Sequence, residues 1–347
     1  MIRCQMNRRE LLLGGVALAG AAFVGGAQAI VKVKQVTLSS AYITHPSCLK
    51  HDMGEHHPER PERMYAIENQ LKASGLLAML THYEASKASK PQLARVHTEA
   101  YIEQIFSQSP NSGMVSLDAD TTMNPYSLEA ALYAAGAAIK GVDLVMTGKV
   151  KNAFCNTRPP GHHAGRARAA GFCIFNNVAI AAAHAMEHYG LQRVAIADFD
   201  VHHGDGTEDI FHDDPRVMLC STFRHPYYPN SGVNSGNDHI INTPLAAGSH
   251  GKAFRTAVTE QWLPALTSFQ PQLILISAGF DAHHEDKIGG LKWHEEDYFW
   301  VTEALKKVAK QHANNRIVST LEGGYALNAL GRSVEAHIRG LSGLSKN

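Results

Sequence analysis

The stretch RVAIADFDVHHGDGT, residues 193–207, decides the fold. Residues 193–197 form a short run of strand length that breaks abruptly into Asp198, Asp200, His202, His203, Gly204, Asp205 and Gly206. A continuous apolar run is the mark of a strand buried on both faces, as in a parallel sheet, whereas a half-exposed strand alternates. The same unit recurs along the chain. Residues 150–154 lead into NTRPPGHH (156–163), 217–220 into Ser221-Thr222, 273–276 into SAGFDAH (277–283), and 317–320 into LEGGY (321–325). Helical patterns fall between these units: one from Ser127 to near Gly148, one over 177–189 closed by Gly190, and others over 298–313 and 330–341. Strand and helix in alternation predict an α/β domain whose mainly parallel sheet is covered by helices on both faces. Such sheets bind ligands beyond the carboxyl ends of their strands. Nearly every unusual His, Asp and Tyr sits at such an end.

Composition narrows the classes. The chain has 347 residues, 44% hydrophobic and 18% charged, which suits a large α/β domain and is far from the profile of disorder. Basic and acidic residues both number 32 without a block of like charge, so neither a nucleic-acid partner nor a stable membrane anchor is expected. The outlier is histidine, at 21, the commonest metal ligand and the acid/base of neutral pH. Arg3, Arg8 and Arg9 precede an apolar run over 11–24 and then Ala27-Gln28-Ala29, the pattern of a cleavable signal peptide with a twin-arginine-like pair. This reading puts a leader at 1–29, a domain at 30–347, and the mature chain in the periplasm or outside the cell. Cys48, Cys155, Cys173 and Cys220 show no zinc-finger spacing, and no obligatory disulfide is expected.

The strand ends carry the chemistry. If the backbone stays extended past Asp198, Asp200 and His202 face the same way and can share a metal, with Asp281 as the best third ligand. Two carboxylates and one imidazole leave coordination positions open, as in a catalytic centre. Zinc fits best, and Fe(II) suits the same ligands. The bland alternative is a loop hydrogen bond between Asp200 and His202. The pair His162-His163 follows a segment that breaks regular structure, so both rings can enter one cavity, oriented by Asp198 and Asp205; the alternative is a solvated pair. Tyr325, after Gly323-Gly324, can offer a phenol to a developing oxyanion, or simply anchor a turn.

RPPGHHA (158–164), GFCIFNNVAI (171–180), ADFDVHHGDGT (197–207), SAGFDAH (277–283) and LEGGY (321–325) resemble the successive signatures of zinc-dependent histone deacetylases and their bacterial amidohydrolase relatives. HHPERPERM (56–64) resembles the class II branch. The resemblance runs in order from about Thr37 to near the C-terminus. It implies the arginase/deacetylase-type fold, with zinc on Asp200, His202 and Asp281. It casts His163, partnered by Asp205, as general base and acid, His162 with Asp198 as an orienting group, and Tyr325 as the polariser of the scissile carbonyl. Phe172 and Tyr228 would wall a narrow tunnel with Gly171 at its mouth, and Asp120 would hold a substrate amide at the rim. A structural K+ would lie near Asp198, Asp200, His202, Ser221 and Thr222, several of them through backbone oxygens.

The implied reaction hydrolyses an acyl-lysine-like or other acylated amine, in a peptide or small molecule, to free amine and carboxylate. Two other readings stand beside it: an acetylpolyamine amidohydrolase and an inactive metal-binding scaffold. A two-manganese ureohydrolase would need additional bridging ligands, and the tandem His and Gly-Gly-Tyr argue against it. Polyamine-selective relatives carry a rim glutamate. Counting from Asp281, the matching position here is Ile288, with Glu285 and Asp286 near enough to substitute. Assembly into a homo-oligomer is left open.

Overall fold

Strands of four to eight residues stack side by side at the centre of the molecule. They are β1 (Ser40–Thr44), β2 (Thr81–Glu84), β5 (Asn152–Cys155), β6 (Val194–Asp198), β7 (Val217–Arg224), β8 (Ile240–Leu245), β9 (Leu273–Ala278) and β10 (Ile317–Leu321). The two-residue strands β3 (Val115–Ser116) and β4 (Thr122–Met123) form a separate antiparallel pair. Sheet order is β2-β1-β5-β10-β9-β6-β7-β8, with every neighbouring pair parallel. The computed structural model describes residues 37–346.

Parallel neighbours need crossover connections, and helices supply them. They are α1 (Glu62–Ala73), α2 (Lys90–Leu93), α3 (Glu99–Gln108), α4 (Ser127–Met146), α5 (Asn177–Tyr189), α6 (Asp205–Phe211), α7 (Gly251–Ala257), α8 (Leu263–Phe269), α9 (Glu295–His312) and α10 (Leu327–Ser342). Successive residues of the central strands feed two separate apolar layers. Leu273 and Leu275 join Val194 and Ile196 in one layer with Val142 of α4 and Ala182 of α5. Ile274 and Ile276 join Ala195 and Ala197 in the other, with Ile67 of α1, Leu305 of α9 and Val334 of α10. Both faces of the sheet are thus covered, which is why these strands read as unbroken apolar runs.

Helix α5 ends where Gly190 takes the left-handed conformation at φ 69°, as its sequence position predicts. Strand β7 runs four residues beyond the apolar stretch expected of it. β1, β2 and β8 carry no legible run. β2 alternates half-buried and exposed residues at the sheet edge, and β8, at the other edge, contains Pro244.

The leader expected at 1–29 lies outside the described residues. The signal-peptide reading is corrected to this extent: nothing among the described residues supports it, and no described helix is long and apolar enough to cross a membrane. The four cysteines at 48, 155, 173 and 220 are buried free thiols.

Candidate active site

Register brings the motifs together. Asp198 at the end of β6 pairs with Ser221 of β7 on one side and Ser277 of β9 on the other, and Ala278 pairs with Leu321 of β10. The loops that leave these strands therefore open at one edge. The backbone does not stay extended after Asp198; residues 200–202 bend. Asp200 Oδ1 accepts from the His202 N–H at 2.9 Å, and the His202 Nδ1 lies 2.9 Å from the same oxygen. The loop bond and the shared site are thus both real, and the turn replaces extended geometry as the device that unites the two side chains.

Asp281 completes the group. Its Oδ2 lies 3.3 Å from His202 Nδ1, and donor atoms of Asp200, His202 and Asp281 all fall within 4.8 Å of one another. The remaining oxygens are committed elsewhere. Asp281 Oδ1 accepts from Val201 N–H at 2.9 Å, and Asp200 Oδ2 from Gly323 N–H at 2.8 Å. Asp281 Oδ2 is buried without a hydrogen-bond donor among the described residues. Burial and the neighbouring Asp200 push the Asp281 carboxyl up to about 7. Burial pulls His202 down, but both carboxylates outweigh it and hold it at about 9. Two buried carboxylates beside an imidazole, one with an orphaned oxygen, fit a divalent cation with open coordination positions. A Cβ on Gly323 would stand 2.2 Å from Asp281 Oδ2, so only glycine lets that backbone pass.

The tandem histidines are a tilted pair with centroids 4.1 Å apart, and their orienting acids are the expected ones. His162 Nδ1 lies 2.9 Å from Asp198 Oδ2, and His163 Nδ1 lies 2.7 Å from Asp205 Oδ1. Their charges separate. Burial lowers His162, but Asp198 and Asp200 overcome it and raise the ring well above its ordinary value. Burial and the His162 charge bring His163 down to about 4, so it is neutral near pH 7. Each ring binds its acid through Nδ1, which leaves Nε2 of His163 for a reacting group.

Aromatic rings surround this pair. Tyr228 meets His163 edge-on at 5.1 Å, Phe172 meets Tyr325 at 6.0 Å, and His57 meets Phe172 at 4.7 Å. A Cβ on Gly171 would stand 2.3 Å from the His163 ring, so glycine is required for that approach. Phe172 itself has φ 69°, held by its N–H donating to Thr121 Oγ1 at 3.0 Å. Thr121 also donates to Asp120 Oδ1 at 3.3 Å, which sets exposed Asp120 beside this rim. The backbone oxygen of Ile288 accepts from the Tyr227 hydroxyl, and Tyr227 stacks on His202 at 5.4 Å.

Several residues hold the site in roles that the sequence did not show, Asp286 among them, which reads there only as a candidate rim carboxylate. The Asp286 Oδ2 accepts from the N–H groups of Tyr325 (2.6 Å) and Ala326 (3.0 Å), fixing the Gly-Gly-Tyr loop. Glu322 Oε2 accepts from Gly161 N–H at 2.7 Å and His162 N–H at 3.1 Å. Buried Glu59 takes Arg158 through both oxygens, at 2.6 Å for Oε2, and Arg63 at 3.0 Å. Arg63 also donates to Gly324 O at 2.7 Å and lies under the Tyr325 ring at 5.0 Å. Glu59 stays ionised: burial opposes its charge, but Arg158, His51 and Arg63 hold it well below the usual range. Glu59 and Arg63 were legible only as part of the 56–64 motif, without a role. At the expected potassium position, Asp198 and Ser221 are in register, and the buried Thr222 hydroxyl lacks a partner among the described residues.

Comparison with known proteins places this geometry. The profile of the histone deacetylase domain matches residues 57–341, leaving residues 1–29 outside the match. The chain is 34% identical over 315 residues to the histone deacetylase-like amidohydrolase of Pseudomonas aeruginosa, covering 84% of this chain and 83% of that protein. It is 36% identical over 302 residues to the polyamine deacetylase HDAC10 of Homo sapiens, covering 82% of this chain and 44% of that protein. Among solved structures, the HDA15 HD domain superposes with a TM-score of 0.83 at 34% identity, over 90% of this chain and 91% of that one.

Proposed function

The chain belongs to the histone deacetylase family, whose members remove acyl groups from amines, and from that premise we propose a zinc-dependent amidohydrolase that prefers acyl-lysine-like or neutral amides to acetylpolyamines. The observation that carries the metal is the orphaned, buried Asp281 Oδ2 facing His202 and Asp200. Asp200, His202 and Asp281 would hold the zinc, which when bound supplies Lewis acidity toward the amide carbonyl and the attacking water. Fe(II) suits the same ligands, and K+ would sit behind them near Asp198, Ser221 and Thr222.

The protein's own groups perform the rest. Neutral His163, oriented by Asp205, takes the proton of the attacking water on its Nε2 as the amide carbon is attacked. His162, cationic between Asp198 and Asp200, steadies the negative charge that develops beside it. Tyr325, whose hydroxyl burial keeps protonated, donates a hydrogen bond to the oxyanion. Protonated His163 then returns its proton to the departing nitrogen, yielding free amine and carboxylate. Phe172 and Tyr228 exclude water from the acyl stem, and Asp120 at the rim accepts from a substrate amide.

Substrate preference rests on the rim. Ile288 supplies no charge, Asp286 is buried under three backbone N–H groups, and Glu285 is paired with Arg332. No carboxylate of this loop is left free to attract a second ammonium. Purified protein should lose activity to a chelator and regain it with zinc. It should then show a higher kcat/KM on acetyl-lysine peptides than on acetylspermidine or acetylputrescine at matched ionic strength. Ile288→Glu should move the ratio toward polyamines by roughly tenfold, since a partly exposed charge pair near 4 Å is worth up to ~4 kcal/mol before screening. A wild-type preference for the acetylpolyamines would overturn the substrate reading.

A further inference from the structure

We propose that His283, His284 and His294 form a second metal site, separate from the Asp200 centre, for a divalent transition ion that favours imidazole, of the zinc, nickel or copper kind. Their donor atoms all lie within 4.8 Å of one another. Ring centroids are 4.5 Å apart for His283 and His284, 4.3 Å for His284 and His294, and 6.0 Å for His283 and His294. Three imidazoles without a thiolate suit this class of ion rather than calcium or magnesium, which take oxygen ligands.

The backbone builds the cluster. His283 pairs with Trp293 in a parallel bridge, with Trp293 N–H donating to Ala282 O at 3.1 Å and His284 N–H donating to Trp293 O at 2.9 Å. Trp293 is buried and stacked on Phe254 at 3.8 Å, so this short ladder is anchored in the core. The segment after Asp281 is thereby held against the start of α9, where His294 is the N-cap, its N–H bonded to Asp297 Oδ2 at 2.9 Å.

His283 is the buried member of the trio. Its ring is fully buried, and its Nδ1 accepts from Glu285 N–H at 3.2 Å. The ring proton of neutral His283 is therefore on Nε2, which is buried without a close hydrogen bond among the described residues and faces Glu295 Oε1 at 3.5 Å. An ion taking this nitrogen would have to displace that proton, to Nδ1 in place of the Glu285 N–H contact or to solvent, so metal uptake here is coupled to proton transfer. His284 and His294 are exposed, so their rings can turn inward to reach the ~2.0–2.1 Å ligand distance of zinc. Glu295 and Glu285 flank the trio, each tied to Arg332, and lend it negative surroundings. An ion here would staple the loop that carries Asp286, the anchor of Tyr325, and Ile288 to α9, and binding only the folded chain would stabilise it.

The full chain is stripped with a chelator, reloaded with zinc, freed of excess ion, and assayed for metal by mass spectrometry. The His284→Ala/His294→Ala double variant is expected to hold one ion fewer per chain than wild type. His202→Ala, which removes a ligand of the other centre, should lose an ion independently, so the two sites fail separately. Cu2+ bound to His202→Ala should show imidazole nitrogen splitting in its paramagnetic resonance spectrum, lost when His284 and His294 are also replaced. Because His294 caps α9, exposed His284→Ala is measured alone as well, with a loss of roughly tenfold or more in affinity for that ion. Equal metal content in wild type and the double variant, or a Cu2+ signal unchanged by the replacements, would overturn the proposal whatever happens at the Asp200 centre.

Discussion

Tyr325 owes its position to groups remote in the chain. Asp286 holds its N–H, Arg63 holds the carbonyl before it and lies under its ring, and Phe172 meets its edge. The phenol is thus aimed by a fixed frame, which is the condition for an oxyanion donor to act without reorganising. Tyr325→Phe keeps the ring and these contacts. It should lower kcat on an unactivated acetyl amide by roughly 10²–10³-fold with the metal still bound. Near-normal turnover by that variant would remove the hydroxyl from the mechanism. Asp281 and Gly323 make the same point: a single Cβ at 323 would occupy the space beside the carboxylate oxygen that faces the ion.

At the scale of elements, the site is a set of strand-end loops tied by one buried ionic knot. Glu59, just ahead of α1, binds Arg158 of the loop after β5, and Arg63 of α1 passes the connection to the loop after β10. Arg158 reaches further, to the carbonyls of Cys48 at 3.2 Å and His51 at 3.1 Å. Removing one member leaves the others charged and buried, which costs about 3–5 kcal/mol. Glu59→Ala should therefore lower the unfolding free energy, read from urea melts, by that order, and the destabilised loops should cost activity too. A stable Glu59→Ala protein with wild-type turnover would show that the knot neither supports the fold nor the site.

Over the whole molecule, buried neutral histidines make stability depend on pH. His337 sits between Thr302 Oγ1 at 2.6 Å and Ser319 Oγ at 2.8 Å, and burial lowers it from 6.5 to about 3. A ring with a depressed pKa contributes fully above its unfolded value and loses that contribution as pH falls through the folded value. Glu322 works in the opposite sense, since burial raises it to about 7. The histidine is therefore isolated by comparison with a variant. His337→Gln should be the less stable protein at pH 7, and its deficit should shrink by on the order of 2 kcal/mol by pH 4.5, read from urea midpoints. A deficit independent of pH would mean that His337 is not held neutral.

The sequence by itself determined the α/β class, three central strands read at 193–197, 273–276 and 317–320 and found within two residues of those bounds, helix α5 to its closing glycine, and the histidines and acids that meet at the sheet edge. These were legible because each is a contiguous pattern: an unbroken apolar run, a 3.6-residue period, or a motif a few residues long. What lay beyond reach was everything set by strand order. The sheet places β1 between β2 and β5, and β10 between β5 and β9, so Glu59 meets Arg158 across 99 residues and Arg63 meets Gly324 across 261. No local pattern encodes such a partner, because either residue alone looks like an ordinary surface charge. Asp286 reads as a candidate rim carboxylate until the fold adds the N–H groups of Tyr325 and Ala326 to that of Ile288 around it. His283, His284 and His294 become a cluster only because a β-bridge folds Trp293 back against the residues that follow Asp281. Composition and spacing specify which groups are available; register and crossover decide which of them share a space.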